Sequence, residues 1–189
     1  WDEQETFPAL ERARALFPVR IETARIGGIA ADIVTPADGG SPDNSSHVLI
    51  NLHGGGFIAG GGARALLEAI PIASVGKIKV VTLDYRLAPA HPFPAAVRDV
   101  ARAWTWVVEH ASEWGADPDR LVLAGESAGG NLVTALAIAT CFERSEPWAR
   151  EVFDKGVVPA AVLPACGLLQ VTAPDRFRAR WPHMSRAAG

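Results

Sequence analysis

The chain reads as an α/β protein with a mostly parallel, doubly wound sheet and helices on both faces, and three observations predict this. Short apolar runs at 47–52, 79–83, 120–124 and 157–163 have the length and composition of strands buried on both faces. Helix-like stretches separate these runs, and such alternation implies parallel strands joined by right-handed crossovers. The third observation is a junction: Leu121-Val122-Leu123-Ala124 passes through Gly125-Glu126-Ser127-Ala128-Gly129 into an alanine-rich stretch beginning at Asn131. A strand, a tight turn and a helix follow one another there with no linker.

Taken in order, residues 19–26 and 29–35 read as two strands joined by Gly27-Gly28, a two-residue spacing that suggests an antiparallel hairpin. Residues 37–46 are rich in Gly, Pro, Asp, Asn and Ser and read as an exposed loop. The clearest helix covers 94–114, with Val97, Val100, Ala101, Trp104, Val107, Val108 and Ala111 at helical spacing. Pro94 suits its first turn, Gly115 its left-handed C-terminal cap, and Asp117-Pro118-Asp119 a turn toward the next strand. A further helix is expected after Ser127, running to about residue 143 on Leu132, Leu136 and Ile138.

The 189 residues, 49% of them hydrophobic, suffice for one domain spanning 1–189. The net charge of −3 comes from scattered acids and bases, with no block that would form a nucleic-acid footprint. No apolar run reaches the length of a membrane span, and cytoplasm is the expected location. That expectation is silent on a leader, because the sequence starts at Trp1 rather than Met. Cys141 and Cys166 lack a second pair of ligands and are expected as unpaired structural thiols, with no metal site. Oligomeric state leaves no mark in the sequence.

Ligands of a parallel sheet bind beyond the carboxyl ends of its strands, and Ser127 stands at such an end. The pattern Gly-x-Ser-x-Gly reads as a nucleophile elbow, in which the glycines let helix and strand pass closely while the hydroxyl stays exposed. Serine attacks only if a base takes its proton and donors hold the oxyanion that forms. The donors are expected from His53-Gly54-Gly55-Gly56-Phe57, whose glycines allow amides of Gly55 and Gly56 to turn inward and join the amide of Ala128. Phe57 is expected to face the acyl or alcohol pocket. Asp84 and Arg86, two residues apart at a strand end, are expected to tie down a loop, and His91 to pack within one.

Together, HGGGF at 53–57, DYRLAPAHPFPAA at 84–96 and GESAGGNL at 125–132 resemble, in order and spacing, the hormone-sensitive-lipase-like branch of the α/β-hydrolases. The resemblance covers 49 to about 167. It implies hydrolysis of small-molecule carboxylic esters through an acyl-enzyme on Ser127, oxyanion donors at Gly55, Gly56 and Ala128, and no metal or organic cofactor. It also implies that His53 orders the oxyanion loop, with Gly54 and Glu126 supporting the motifs. Two departures stand out. Ala90 replaces the glutamate that the family carries after its LAP segment. More seriously, the triad of this fold runs serine, acid, histidine, yet the only histidine after Ser127 is His183, which shares an Arg-rich segment with Asp175. The resemblance therefore implies a domain truncated after about the sixth strand, with little esterase activity in isolation. A non-catalytic small-ligand module and an inactive fragment are the competing readings.

Overall fold

The computed structural model describes residues 3–167 and Leu169. Asp175 and His183 lie outside the described residues. The elements in chain order are α1 (Glu3–Leu16), β1 (Val19–Ile26), β2 (Ile29–Pro36), β3 (Val48–Leu52), α2 (Ala63–Gly76), β4 (Lys79–Leu83), α3 (Ala95–His110), β5 (Leu121–Glu126), α4 (Ala128–Cys141), α5 (Pro147–Phe153) and β6 (Ala161–Ala165). They form a six-stranded sheet in the order β1-β2-β4-β3-β5-β6. The first three strands in that order pair antiparallel, and β4, β3, β5 and β6 run parallel.

The hairpin forms as its sequence dictates. Gly27 and Gly28 both adopt positive φ, 56° and 85°, and the register closes on Ile26 opposite Ile29. A two-residue turn with positive φ at both positions matches the right-handed twist of its strands. Helices cover both faces of the sheet, and strand alternation sorts the side chains between them. Val48, Ile50 and Leu52 of β3 enter a core with Val100, Trp104 and Val107 of α3 and Leu132, Val133 and Leu136 of α4. Leu49 enters the opposite core, with Leu66, Ala69, Ile70 and Ala73 of α2 and Leu10 of α1. Full burial of Trp104 and Tyr85 anchors the larger of these cores.

Some boundaries differ from the sequence reading. The helix expected over 94–114 is α-helical only to His110 and tightens into a 3-10 turn at Ala111–Trp114, where Gly115 closes it at φ 67°. The last strand begins at Ala161 rather than at 157, because Pro159 has no N–H to donate and the Ala160 amide makes the first bond, to Leu121. Pro164 is tolerated within β6 because, among the described residues, β6 ends the sheet order and pairs with β5 alone. Cys141 and Cys166 are unpaired, as expected, and both are exposed rather than packed. Among the described residues no helix is long and apolar enough to cross a membrane.

Candidate active site

Strands β3 and β5 are parallel neighbours in which Leu52 aligns with Gly125, so the segments after them leave the sheet side by side. One is the HGGGF loop and the other carries Ser127. The first turn of α4 crosses the end of β3 so closely that a Cβ on Gly129 would lie 1.7 Å from the Leu52 carbonyl oxygen, and one on Gly125 2.5 Å from Gly129 backbone. The two glycines of the pentapeptide are thus demanded by backbone approach. Ser127, between them, is held at φ 50° and ψ −108°. A side chain with a Cβ is strained in that region, at a cost of about 1–3 kcal/mol. Although Ser127 precedes the first residue of α4, its hydroxyl makes no capping hydrogen bond. A serine placed merely to cap a helix sits in the extended region and accepts from the first turn, and Ser127 does neither. Its own amide is used, donating to the Ala165 carbonyl at 2.8 Å. The next amide, that of Ala128, lies at the helix start without an acceptor among the described residues.

The HGGGF loop is pinned from several directions. His53 is fully buried, and its Nδ1 lies 2.7 Å from the Gly54 carbonyl, so that nitrogen carries the proton. Burial pushes its pKa below the ordinary histidine value, against the opposing pull of the Gly54 carbonyl and the Glu68 and Asp84 charges, and the ring is neutral near pH 7. Tyr85 stacks on it at 4.2 Å between ring centres, and the Tyr85 hydroxyl donates to the His53 carbonyl at 2.7 Å. Burial raises the Tyr85 phenol well above its usual range, helped by the negative charges of Glu68, Glu126 and Asp84. Tyr85 therefore stays a neutral donor. Glu126 lies against Gly54, where a Cβ would meet its Oε2 at 1.8 Å. Beyond Gly54, the Gly55 carbonyl turns away to accept from the Ile58 and Ala59 amides, both at 3.1 Å. With φ of 114° and 62°, Gly55 and Gly56 leave amides that have no acceptor among the described residues.

A second loop braces the first. Asp99 of α3 is fully buried and accepts from Arg86 three ways: from its backbone amide at 3.0 Å, from Nε at 2.9 Å and from Nη2 at 2.7 Å. The loop after β4, held this way, sends the Ala88 amide to the Phe57 carbonyl at 2.8 Å. Arg86 does tie down a loop, as expected, but through Asp99 rather than Asp84. Phe57, Phe93, Leu132, Ala135 and Trp148 line an apolar cavity of about 330 Å³ that also reaches Asn131, one helical turn after Ser127. His91 is on its wall.

His53, Gly54, Gly55, Gly56, Glu126, Ser127 and Ala128 thus gather at the ends of β3 and β5, while Asp84, Arg86 and His91 follow the neighbouring strand β4. Among the described residues no histidine is hydrogen-bonded to Ser127; His53 faces Gly54 and His110 faces the Trp106 carbonyl. Three supporting residues escaped the sequence reading: Asp99, Asn51 and Glu68. Two of them had a signal, since Asp99 lies within the apolar stripe of α3 and Asn51 within an otherwise apolar strand, and a buried polar group needs a partner.

The alpha/beta hydrolase fold family matches residues 49–183. Over 94 residues the chain is 44% identical to carboxylesterase NlhH of Mycobacterium tuberculosis (strain CDC 1551 / Oshkosh), a match that takes in 48% of this chain and 28% of that protein. A hyperthermophilic esterase from the archaeon Pyrobaculum calidifontis superposes with a TM-score of 0.65 at 34% identity, over 74% of this chain and 45% of that one. A hormone-sensitive lipase from a metagenome library superposes with a TM-score of 0.60 at 29% identity, over 84% of this chain and 49% of that one. The chain thus spans less than half the length of each of these relatives. Its motifs, sheet order and matches together place it in the alpha/beta hydrolase fold family, within the hormone-sensitive-lipase-like branch.

Proposed function

We propose that this chain carries the nucleophile and the oxyanion-binding half of a carboxylic ester hydrolase. The observation that supports this most is Ser127 itself, held in a strained turn between β5 and α4 with its hydroxyl released from capping. Ser127 Oγ attacks the ester carbonyl carbon, the carbonyl π pair moves to oxygen, and the amides of Gly55, Gly56 and Ala128 hold the resulting oxyanion. Collapse expels the alcohol and leaves an acyl group on Ser127, which water then removes. Glu126 and Gly54 close the back of this site, and His53 orders the loop instead of moving protons. The apolar cavity beside Phe57 takes the non-reacting part of the substrate. Proton transfer falls to an acid-supported histidine from outside the described residues.

Among the described residues Ser127 has these donors without a bonded base, and slow turnover is the expected outcome. In the subtilisin case, removing the histidine costs about 10⁶-fold in kcat while oxyanion hole and binding still give about 10³- to 10⁴-fold over water. The test is the hydrolysis of p-nitrophenyl acetate by the 189-residue chain and by Ser127→Ala. A weak burst of p-nitrophenol that the substitution removes is expected. A burst that survives Ser127→Ala overturns the assignment, and reversible binding of short esters without any Ser127 acylation selects the small-ligand module instead.

A further inference from the structure

We infer that Glu68 of α2 is a positioning residue that aims the amide donors of the HGGGF loop, acting through Gly54 and Asn51; this rests on the reading of Gly55 and Gly56 as oxyanion donors. Its carboxylate takes two N–H groups, from Gly54 at 3.3 Å on Oε1 and from the Asn51 side chain at 3.0 Å on Oε2. Asn51, the fourth of the five residues of β3, is 2% exposed. By strand alternation it faces α2, because Ile50 and Leu52 on either side enter the opposite core. Glu68 therefore clamps the end of β3 to the first glycine of the loop and fixes the angle at which the chain leaves the sheet.

The clamp has a direction. Gly54 gives its carbonyl to His53 Nδ1 and its amide to Glu68, so both of its polar groups point into the scaffold. The next two amides are then the first that can serve a ligand. Glu68 lines a cavity of about 200 Å³ with Gly54, Gly55, Arg64 and Glu126, and its hydrogen bond to the loop is to the Gly54 amide. A carboxylate accepts at both oxygens, whereas a carboxamide accepts at one atom and donates at the other. Asn51→Asp thus keeps the shape and sets a carboxylate against the Glu68 carboxylate, a repulsion that turning the side chain over does not relieve. Adding Glu68→Gln restores the pairing in reverse, with the carboxamide at position 68 accepting from Gly54 and donating to the new carboxylate at position 51.

The probe is a short alkyl trifluoromethyl ketone followed by ¹⁹F NMR. Ser127 Oγ bonds to the carbonyl carbon, the π pair moves to oxygen, and the hydroxyl proton passes to solvent, giving a hemiketal whose oxyanion occupies the donor site. Asn51→Asp is expected to weaken this adduct by about 10- to 100-fold, the scale of a misplaced catalytic group, and the double variant to regain most of that loss, with urea midpoints confirming that each variant folds. An adduct that Asn51→Asp leaves unchanged overturns the inference, as does a loss that Glu68→Gln fails to repair in a folded protein. If the parent chain forms no adduct that Ser127→Ala removes, the functional reading fails on its own account. Amide exchange at Gly54 then decides the clamp: faster exchange in Asn51→Asp, reversed in the double variant, upholds it, and unchanged exchange overturns it.

Discussion

Gly129→Ala tests the packing that places Ser127. The added Cβ would lie 1.7 Å from the Leu52 oxygen, 2.6 Å from the Leu52 carbonyl carbon and 2.8 Å from the His53 oxygen, all of them backbone atoms that cannot rotate away. Real Cβ atoms essentially never approach within 3.0 Å, so the first turn of α4 must retreat from β3 by about 1.3 Å. That retreat loosens Leu132, Val133 and Leu136 from the sheet, since all three are core residues of the same helix. Alanine would otherwise favour a helix interior over glycine by about 1 kcal/mol. The steric term must first cancel that gain, and partial withdrawal of three buried side chains, each worth about 1.5–3 kcal/mol when fully buried, brings the net loss to about 3 kcal/mol or more. Gly130→Ala is the internal control, because its Cβ would meet Gly167 at 3.0 Å and Ala165 at 3.1 Å, a crowding that small shifts relieve. Urea unfolding followed by tryptophan fluorescence reads both variants. Gly129→Ala should lose most of its folded baseline while Gly130→Ala stays within about 1 kcal/mol of the parent. Equal midpoints for Gly129→Ala and the parent would refute the close-approach argument.

Tyr85→Phe removes the donor to the His53 carbonyl while keeping the ring stack, and should cost about 1–3 kcal/mol, the penalty for a buried acceptor left unpaired. Differential scanning calorimetry should show a drop of about 2–4 °C in Tm for each kcal/mol in a chain of this size; an unchanged Tm speaks against the bond. His53 is neutral in the fold with a lowered pKa, so above its ordinary value of 6.5 it adds no pH dependence. As pH falls below 6.5 the unfolded chain takes up the proton first, and stability falls by up to about 1.4 kcal/mol per pH unit until the folded pKa is reached. Urea midpoints from pH 7.5 to 5 should show this slope in the parent and a shallower one in His53→Gln. Parallel slopes would remove His53 as its source.

The parallel strands, the hairpin and helix α3 were legible because each is a local pattern: an apolar run, a Gly-Gly turn, a 3.6-residue stripe. The strand-to-helix junction at Ser127 was equally local. Sheet order was not, since the insertion of β4 between β2 and β3 depends on tertiary pairing that no window of sequence contains. Helix α2 lacked a sharp outline because Pro71 interrupts its run and three glycines precede it. The partners of Arg86 and Gly54 were illegible for the same reason: Asp99 lies 13 residues from Arg86, and Glu68 14 from Gly54, each on a helix whose rotation is set by packing. What sequence could have supplied was the demand for a partner at Asn51 and Asp99, without its identity.

The HGGGF loop is gripped from both helical layers, by Glu68 of α2 on one side of the sheet and, through Arg86 and Ala88, by Asp99 of α3 on the other. Its geometry is therefore hostage to two hydrophobic cores that do not touch each other through the sheet. On the proposed reading, substitutions deep in either layer, far from Ser127, would alter the aim of the loop amides, and the mutational target for catalysis would extend across the thickness of the domain.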